Sequence, residues 1–302
     1  MTAAEPVYPV YVAVIGTGVI GRDLVSKVHA SRLLECALVA GRNPGSAGLR
    51  HAAALGYPTS AGGIDAVLAA PKPFDVVFDA TNAMSHAEHW RLLEPLDTLM
   101  VDLTPSRIGL PVVPTVPVAG AASGTRNVSL ISCGGQASIP IAYALASRFT
   151  VEYVEVVSTV ASTIAGRATR LNLDEYVATT QHAVTLFSGV SDTKAILNIS
   201  PAVPPATFRT AVHAIVPGAS AEAVGAVVAD AARRVRRFVP GYDLVACTVA
   251  GDRVVVSLEV IAGGDVLPRY AGNLDIINSA AILVAERHAA RRSRVALEAV
   301  GR

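Results

Sequence analysis

Val10-Tyr11-Val12-Ala13-Val14-Ile15-Gly16-Thr17-Gly18-Val19-Ile20-Gly21 is the stretch that decides the fold. Its first six residues form a nearly continuous apolar run, the pattern of a strand buried on both faces of a parallel sheet. A G-x-G-x-x-G pattern is weak evidence by itself. Between a strand and a helix running to about residue 32, each glycine has a use: a tight turn, close approach of a pyrophosphate to backbone, and packing of helix on strand. Gly16, Thr17, Gly18, Val19, Ile20 and Gly21 are therefore the expected dinucleotide-binding turn, the alternative being a tight turn without a phosphate.

Working outward, a second strand over 34–39 ends in Ala40-Gly41-Arg42-Asn43, where such folds place an acid that holds the adenine ribose hydroxyls. No acid is present. Arg42 could meet a 2′-phosphate, which points to NADP, or it could stack on adenine or face solvent; both readings stand. Helices over 46–55 and 63–69 and strands over 75–81 and 99–105 continue the alternation, and Thr81 at a strand's carboxyl end faces the cofactor in such a sheet. The Pro-spaced stretch 109–117 reads as an irregular surface connection.

A second focus is Ile131-Ser132-Cys133-Gly134-Gly135-Gln136, where a strand over 127–130 runs into a helix. A cysteine at a helix N-terminus is placed where unpaired N–H groups and the helix dipole favour thiolate. The glycine pair would let a substrate carbonyl approach backbone donors. Position alone does not separate a nucleophile from a small buried hydrophobe.

Beyond residue 151 strands and helices no longer alternate. Strands over 151–160, 194–199 and 207–216, helices over 174–188 and 220–238, and a hairpin of strands 243–250 and 253–261 about Gly251-Asp252 predict a mixed or antiparallel sheet with helices on one side. A loop over 267–273 and a helix over 274–294 close the chain. The expected fold is thus α/β: a Rossmann-type doubly wound parallel sheet over 1–132, completed by the C-terminal segment 274–302, with an α+β domain over 133–273. The Ala290-Arg291-Arg292-Ser293-Arg294 run reads as a solvated face near a helix end.

Composition narrows the function classes. A net charge of +1 gives no electrostatic footprint for nucleic acid or an anionic membrane, and no apolar run reaches membrane-spanning length. The three scattered cysteines suggest neither disulfides nor a metal site, and with no signal-peptide pattern a reducing cytoplasm is expected. His86 and His89, at i, i+3 on one helix, read as surface or supporting residues.

Taken together with Asp102-Leu103-Thr104-Pro105, Cys133 to Pro140, Pro240-Gly241-Tyr242 and Tyr270-Ala271-Gly272-Asn273-Leu274-Asp275, the glycine turn gives the chain a specific likeness. It resembles the acylating acetaldehyde dehydrogenases, the coenzyme A-dependent enzymes that partner 4-hydroxy-2-oxovalerate aldolase in meta-cleavage pathways. The resemblance covers about residues 11–288. It implies a nicotinamide-binding domain and a catalytic and dimerisation domain similar to that of glyceraldehyde-3-phosphate dehydrogenase, in a homodimer. It also implies that Cys133 forms a thioester, that Asn172 positions the acyl group, and that NAD or NADP and coenzyme A are used. By the same likeness the loop Ile164, Ala165, Gly166, Arg167, Ala168, Thr169, Arg170, Leu171 and Asn172, together with Asn273, contacts the cofactor.

Three departures stand out. The loop gains Arg167 and loses a glycine; the ribose-binding acid is missing; and Arg209-Thr210 stands where the family has Arg-Asp, whose acid is the residue usually proposed to activate the cysteine. Threonine is no base near neutral pH. Activation is then expected to rest on the helix N-terminus alone, giving a slower or more alkaline-shifted enzyme. The alternatives are a longer or functionalised aldehyde as substrate, or a catalytically weakened dinucleotide-binding subunit of an aldolase complex.

Overall fold

The computed structural model describes residues 9–117, 124–166, 170 and 172–300. Strands β1 (Val10–Ile15), β2 (Leu34–Ala40), β3 (Thr59–Ser60), β4 (Val76–Asp79), β5 (Leu99–Asp102), β6 (Leu110–Pro111) and β7 (Asn127–Ser129) form one sheet in the order β3-β2-β1-β4-β5-β7-β6. Every pairing in it is parallel. Helices α1 (Val19–Ala30), α2 (Ala47–Ala54), α3 (Gly63–Leu68) and α4 (Ala83–Leu93) connect its first strands. Two of them begin on side-chain caps: Ser46 accepts from Leu49 N–H and Asn82 from Ser85 N–H, satisfying donors that a helix start leaves open. Strand order leaves β1 toward β2 on one side and β4 on the other, and the crevice at such a switch point is where α/β sheets hold ligands.

Helices α5 (Cys133–Ala146), α6 (Leu173–Ser188) and α7 (Ala221–Arg236) pack with strands β8 (Tyr153–Ala161), β9 (Thr193–Ser200), β10 (Phe208–Ile215), β11 (Tyr242–Ala250) and β12 (Arg253–Val260). The second sheet runs β11-β12-β10-β8-β9. β8 and β9 are parallel, joined through α6, and the rest are antiparallel. Alternation along β10 and β12 buries Val212, Ala214, Val254 and Val256 under the helices and turns Ala211, His213, Val255 and Ser257 to a half-buried outer face. Such strict alternation is what a sheet covered on one face shows.

Helix α8 (Gly272–Val300) joins the two cores: Ile276 packs into that of the second sheet and Ile277, Ala280, Ala281 and Ala285 into that of the first. Three expectations are corrected here. The helix starts at Gly272, so Asn273 lies in its first turn rather than in a loop; a β-carbon at Gly272 would collide with Val260 O, and the glycine lets the helix begin against the end of β12. Arg291 and Arg292 of the basic run are exposed as expected, but they lie within the helix rather than near its end, Arg292 reaches Asp75 at 3.1 Å, and Ser293 beside them is buried. The stretch 109–117 is not wholly irregular, since Leu110 and Pro111 pair with Val128 and Ser129 as an edge strand, where proline is tolerated.

Candidate active site

The glycine turn has the geometry that its spacing requires. Gly16 adopts φ +108°, a region closed to most side chains, and a β-carbon there would press on the Ala80 carbonyl. At Gly21 a β-carbon would collide with Gly16 O, so α1 packs on β1 only without one. Nothing lies within 4 Å of the corresponding position at Gly18, and Gly18 caps α1 with no side-chain hydrogen bond. The helix N-terminus therefore faces open space, the setting that receives an anion. Thr17 is wedged against Gly41 and Gly48, while Val19 is exposed and Ile20 lines the cavity described next.

Cys133 is the first residue of α5. Ser132 caps the helix, accepting from Gly135 N–H at 2.9 Å, and Ile131 turns the chain with φ +66°. A buried β-branched residue in that region is strained by about 1–3 kcal/mol, and such strain gathers where a side chain must be presented at a set angle. The thiol is half-buried at the base of a cavity of about 110 Å³ that gathers residues from both sheets and from α8. Ile20, Thr81, Ile164, Ala165, Asn172 and Asn273 line it with Cys133, so six of the residues singled out in the sequence meet around the sulfur. Asn172 sits at the cap position of α6, and Asn273 hydrogen-bonds the sulfur.

Other singled-out residues lie elsewhere. Arg42 is exposed just past β2, in an outer groove that also carries Arg107 and Glu175 and meets the cavity at Asn82, Pro105 and Asn172. Gly166 is exposed and outside the cavity lining. Arg170 is turned back on its own loop, donating from Nε to Ala165 O at 3.0 Å and from Nη2 to Ser162 O at 3.3 Å, so it does not reach the cavity. Arg167, Ala168, Thr169 and Leu171 fall outside the described residues.

Two expectations about the thiol are revised. Burial pushes the Cys133 pKa up, outweighing hydrogen bonds from Tyr176, Asn273 and nearby backbone N–H groups, so the helix N-terminus does not by itself make a thiolate. The N–H of Gly134, expected to hold an oxyanion, is taken by Tyr176 Oη at 3.1 Å. A β-carbon at Gly134 would run into Tyr176 Oη and Ser158 Oγ, so this glycine makes room for protein hydroxyls rather than for a substrate.

Tyr176 is the main residue that the sequence reading missed. Its signal was present: it lies four residues after Asn172, hence on the same helix face. A second missed constellation lies behind Thr81. Asp79 and Asp102 end adjacent strands in register, and Asp79 Oδ2 meets His86 Nδ1 at 3.1 Å and His89 Nδ1 at 2.9 Å. Thr81 donates to Asp79 Oδ1 from both its hydroxyl, at 2.5 Å, and its N–H, at 3.0 Å. His86 and His89 are thus buried supporting residues rather than surface ones, because a buried carboxylate needs these donors. Their hydrogen bonds hold the Asp79 pKa down at about 2, whereas burial lifts that of Asp102 to about 6.

A dinucleotide-type turn and a cysteine at a helix N-terminus, facing one cavity between a parallel and a mixed sheet, define the class: a thiol-bearing α/β dehydrogenase. Residues 133–268 match the family model described as "Prokaryotic acetaldehyde dehydrogenase, dimerisation". An acetaldehyde dehydrogenase of Streptomyces griseus is 68% identical over 297 residues, 98% of this chain and 96% of the relative. Those of Pectobacterium atrosepticum and Burkholderia pseudomallei are 49% and 45% identical, covering 92% and 93% of this chain and 95% of each relative. The chain belongs to the acetaldehyde dehydrogenase family.

Proposed function

We propose that this chain oxidises a short-chain aldehyde with coenzyme A and NAD or NADP, giving an acyl-CoA through a thioester on Cys133, and that the reaction is reversible. One observation carries the reading: Cys133, Asn172 and Asn273 share a single cavity with Ile20 of the helix whose uncapped N-terminus Gly18 leaves open. The residues fit a nicotinamide dinucleotide. Open space at Gly18 suits a pyrophosphate, and Asn273 Oδ1 and Thr104 Oγ1 are buried without hydrogen-bond partners in residues that line the cavity, as a carboxamide-bearing ligand would require. When bound, such a cofactor supplies the hydride acceptor.

The chain's own residues supply the rest. The Cys133 sulfur, once ionised, adds to the aldehyde carbon, and the carbonyl electron pair moves to oxygen. With Gly134 N–H committed to Tyr176, the Asn273 amide and the Cys133 N–H are the donors beside the new oxyanion. Asn172 holds the acyl oxygen side across the cavity. Ile131, Val160, Ile164 and Leu197 keep the wall apolar, which disfavours water and leaves the thioester for the coenzyme A thiol entering past Asn82 and Pro105.

In this reading residues 1–132 with 274–302 hold the cofactor and 133–273 carry the thiol. The family model's description and the half-covered outer face of the second sheet support a homodimer. The three free cysteines agree with a cytoplasmic setting, and an aldolase making 2-oxo acids and aldehydes is the partner that the resemblance supplies. Among the described residues no helix is long and apolar enough to cross a membrane. The test is initial rates with acetaldehyde and propionaldehyde, with either cofactor, with and without coenzyme A. Acyl-CoA formed only when all three reactants are present is the expected result; reduced cofactor without acyl-CoA would sink the reading.

A further inference from the structure

Four side chains from four elements line up behind the sulfur. Cys133 Sγ lies 3.7 Å from Tyr176 Oη on α6, and Ser158 Oγ on β8 lies 3.0 Å from Thr210 Oγ1 on β10. Tyr176 Oη and Ser158 Oγ lie side by side, since both would be struck by a β-carbon at Gly134. Ser158 and Thr210 are buried, and Ser158 faces Thr210 in the β8–β10 register.

Counting protons gives this chain a consistent direction. Tyr176 Oη accepts from Gly134 N–H, so its own single proton can be turned to the sulfur 3.7 Å away. One hydrogen bond joins Ser158 and Thr210, and with Thr210 as its donor the Ser158 proton is left to turn toward the neighbouring Tyr176 Oη. We propose that Tyr176 is a positioning residue for the Cys133 sulfur, fed by a one-way series of donors, Thr210 to Ser158 to Tyr176 to Cys133, that supports the sulfur anion once it forms. This rests on the proposed thioester chemistry and deepens it.

The series is no base. Thr210 ends it and cannot take up a further proton, so the thiol proton leaves to water in the cleft, and the donors stabilise the anion that remains. Each hydroxyl polarises the next, and such chains strengthen in a buried setting. The device answers the missing acid at position 210: a carboxylate could take the proton, whereas threonine can only support the charge left behind.

The surroundings leave this role to neutral donors. Tyr176 from α6, Asn273 from α8, and the N–H groups of Cys133 and Gly134 bear on the sulfur, and no charged side chain lines the cavity among the described residues. Nearby ionisable groups are engaged elsewhere or face outward. Arg209 pairs with Glu259, Asp275 with Lys27, Glu175 lies in the outer groove, Asp174 is exposed, and His182 lines a separate pocket.

The test is the pH profile of Cys133 alkylation by iodoacetamide in the intact enzyme, read on the Cys133 peptide by mass spectrometry so that Cys36 and Cys247 do not intrude. Tyr176→Phe is expected to move the midpoint alkaline by about one pH unit, an approximately tenfold loss of thiolate at neutral pH. Thr210→Val, nearly isosteric and remote from the sulfur, is expected to move it the same way by less. An unmoved midpoint in Tyr176→Phe overturns the proposal, even if turnover falls. Should that variant not fold, an unmoved midpoint in Thr210→Val overturns it equally. The readout needs neither aldehyde, cofactor nor coenzyme A, so a wild-type enzyme that makes no acyl-CoA would refute the reaction and leave the donor series still decided by alkylation.

Discussion

Lys27 Nζ lies 2.6 Å from Asp275 Oδ1, tying the glycine-turn helix α1 to the first turn of α8. Asp23 stands on the other side of the same ammonium at 3.9 Å, and both carboxylates are nearly inaccessible, at 5% and 4% side-chain exposure. Lys27→Met would leave the two acids facing each other without a cation. Breaking a buried pair in this way costs about 3–5 kcal/mol, discounted here toward about 2–3 because Lys27 is partly exposed. Without the lysine, the Asp23 pKa, already raised by burial, rises further and the folded state favours its protonated form. The loss is therefore smallest at low pH and grows as pH climbs past the ordinary carboxylate range. Urea unfolding of wild type and variant at pH 5 and pH 8 measures it, and a deficit that is equal at both would contradict the argument.

The three glycines of the turn separate fold from ligand. Gly18→Ala adds a methyl to open space at an ordinary φ of −74°, so stability should change by no more than about 0.5 kcal/mol. Dinucleotide affinity should fall about tenfold or more, because the methyl stands where the pyrophosphate must approach. Gly21→Ala should instead destabilise the protein by about 2 kcal/mol or more, since its methyl overlaps the Gly16 carbonyl and α1 must move away from β1. Thermal unfolding without ligand and a fluorescence titration with NADH separate the two effects.

Much of this was legible in the chain. The apolar run before Gly16 and the glycine spacing specified both the parallel sheet and the tight turn at its carboxyl end, because each rests on local rules of period and turn. Cys133 at the start of α5 was likewise legible from Ser132 and the glycines that follow. The environment of the thiol was not. Tyr176, Ser158 and Thr210 lie 43, 25 and 77 residues from Cys133 along the chain and converge only through the packing of α6 and the β8–β10 register, which no local period encodes. The His86, His89 and Asp79 cluster was missed for a related reason. Histidine is commonly exposed, and its burial here follows from two strands ending side by side in carboxylates.

That cluster sets an acid limit on the fold. The folded pKa of Asp79, about 2, is below the unfolded value of about 3.9, so its contribution is fully present above pH 4 and is lost as pH falls through about 2. The size expected is about 2 kcal/mol. Asp79→Asn should lower stability at pH 6, where the carboxylate binds His86, His89 and Thr81, and should flatten the acid limb of the stability curve between pH 4 and 2. Denaturant midpoints over that range test it, and an unchanged acid limb would show that other carboxylates govern acid unfolding.

Arg42 is where the choice between the two dinucleotides can be tested. It follows β2 directly, the chain there is pinned by Gly41 N–H to Ser60 O and by Gly63 N–H to Gly41 O, and Ala40, Gly41 and Asn43 bring no carboxylate to repel a phosphate. An exposed guanidinium meeting a 2′-phosphate makes a charge-assisted contact, and removing it should cost about 1–2 kcal/mol at low ionic strength. Arg42→Ala should therefore raise KM for NADP about tenfold while leaving that for NAD within about twofold. The NADP effect should shrink as salt is added, because the contact is exposed and screened. If both cofactors weaken together, Arg42 stacks on the adenine that they share. If neither changes, it faces solvent, and the missing acid alone accounts for any tolerance of the phosphate.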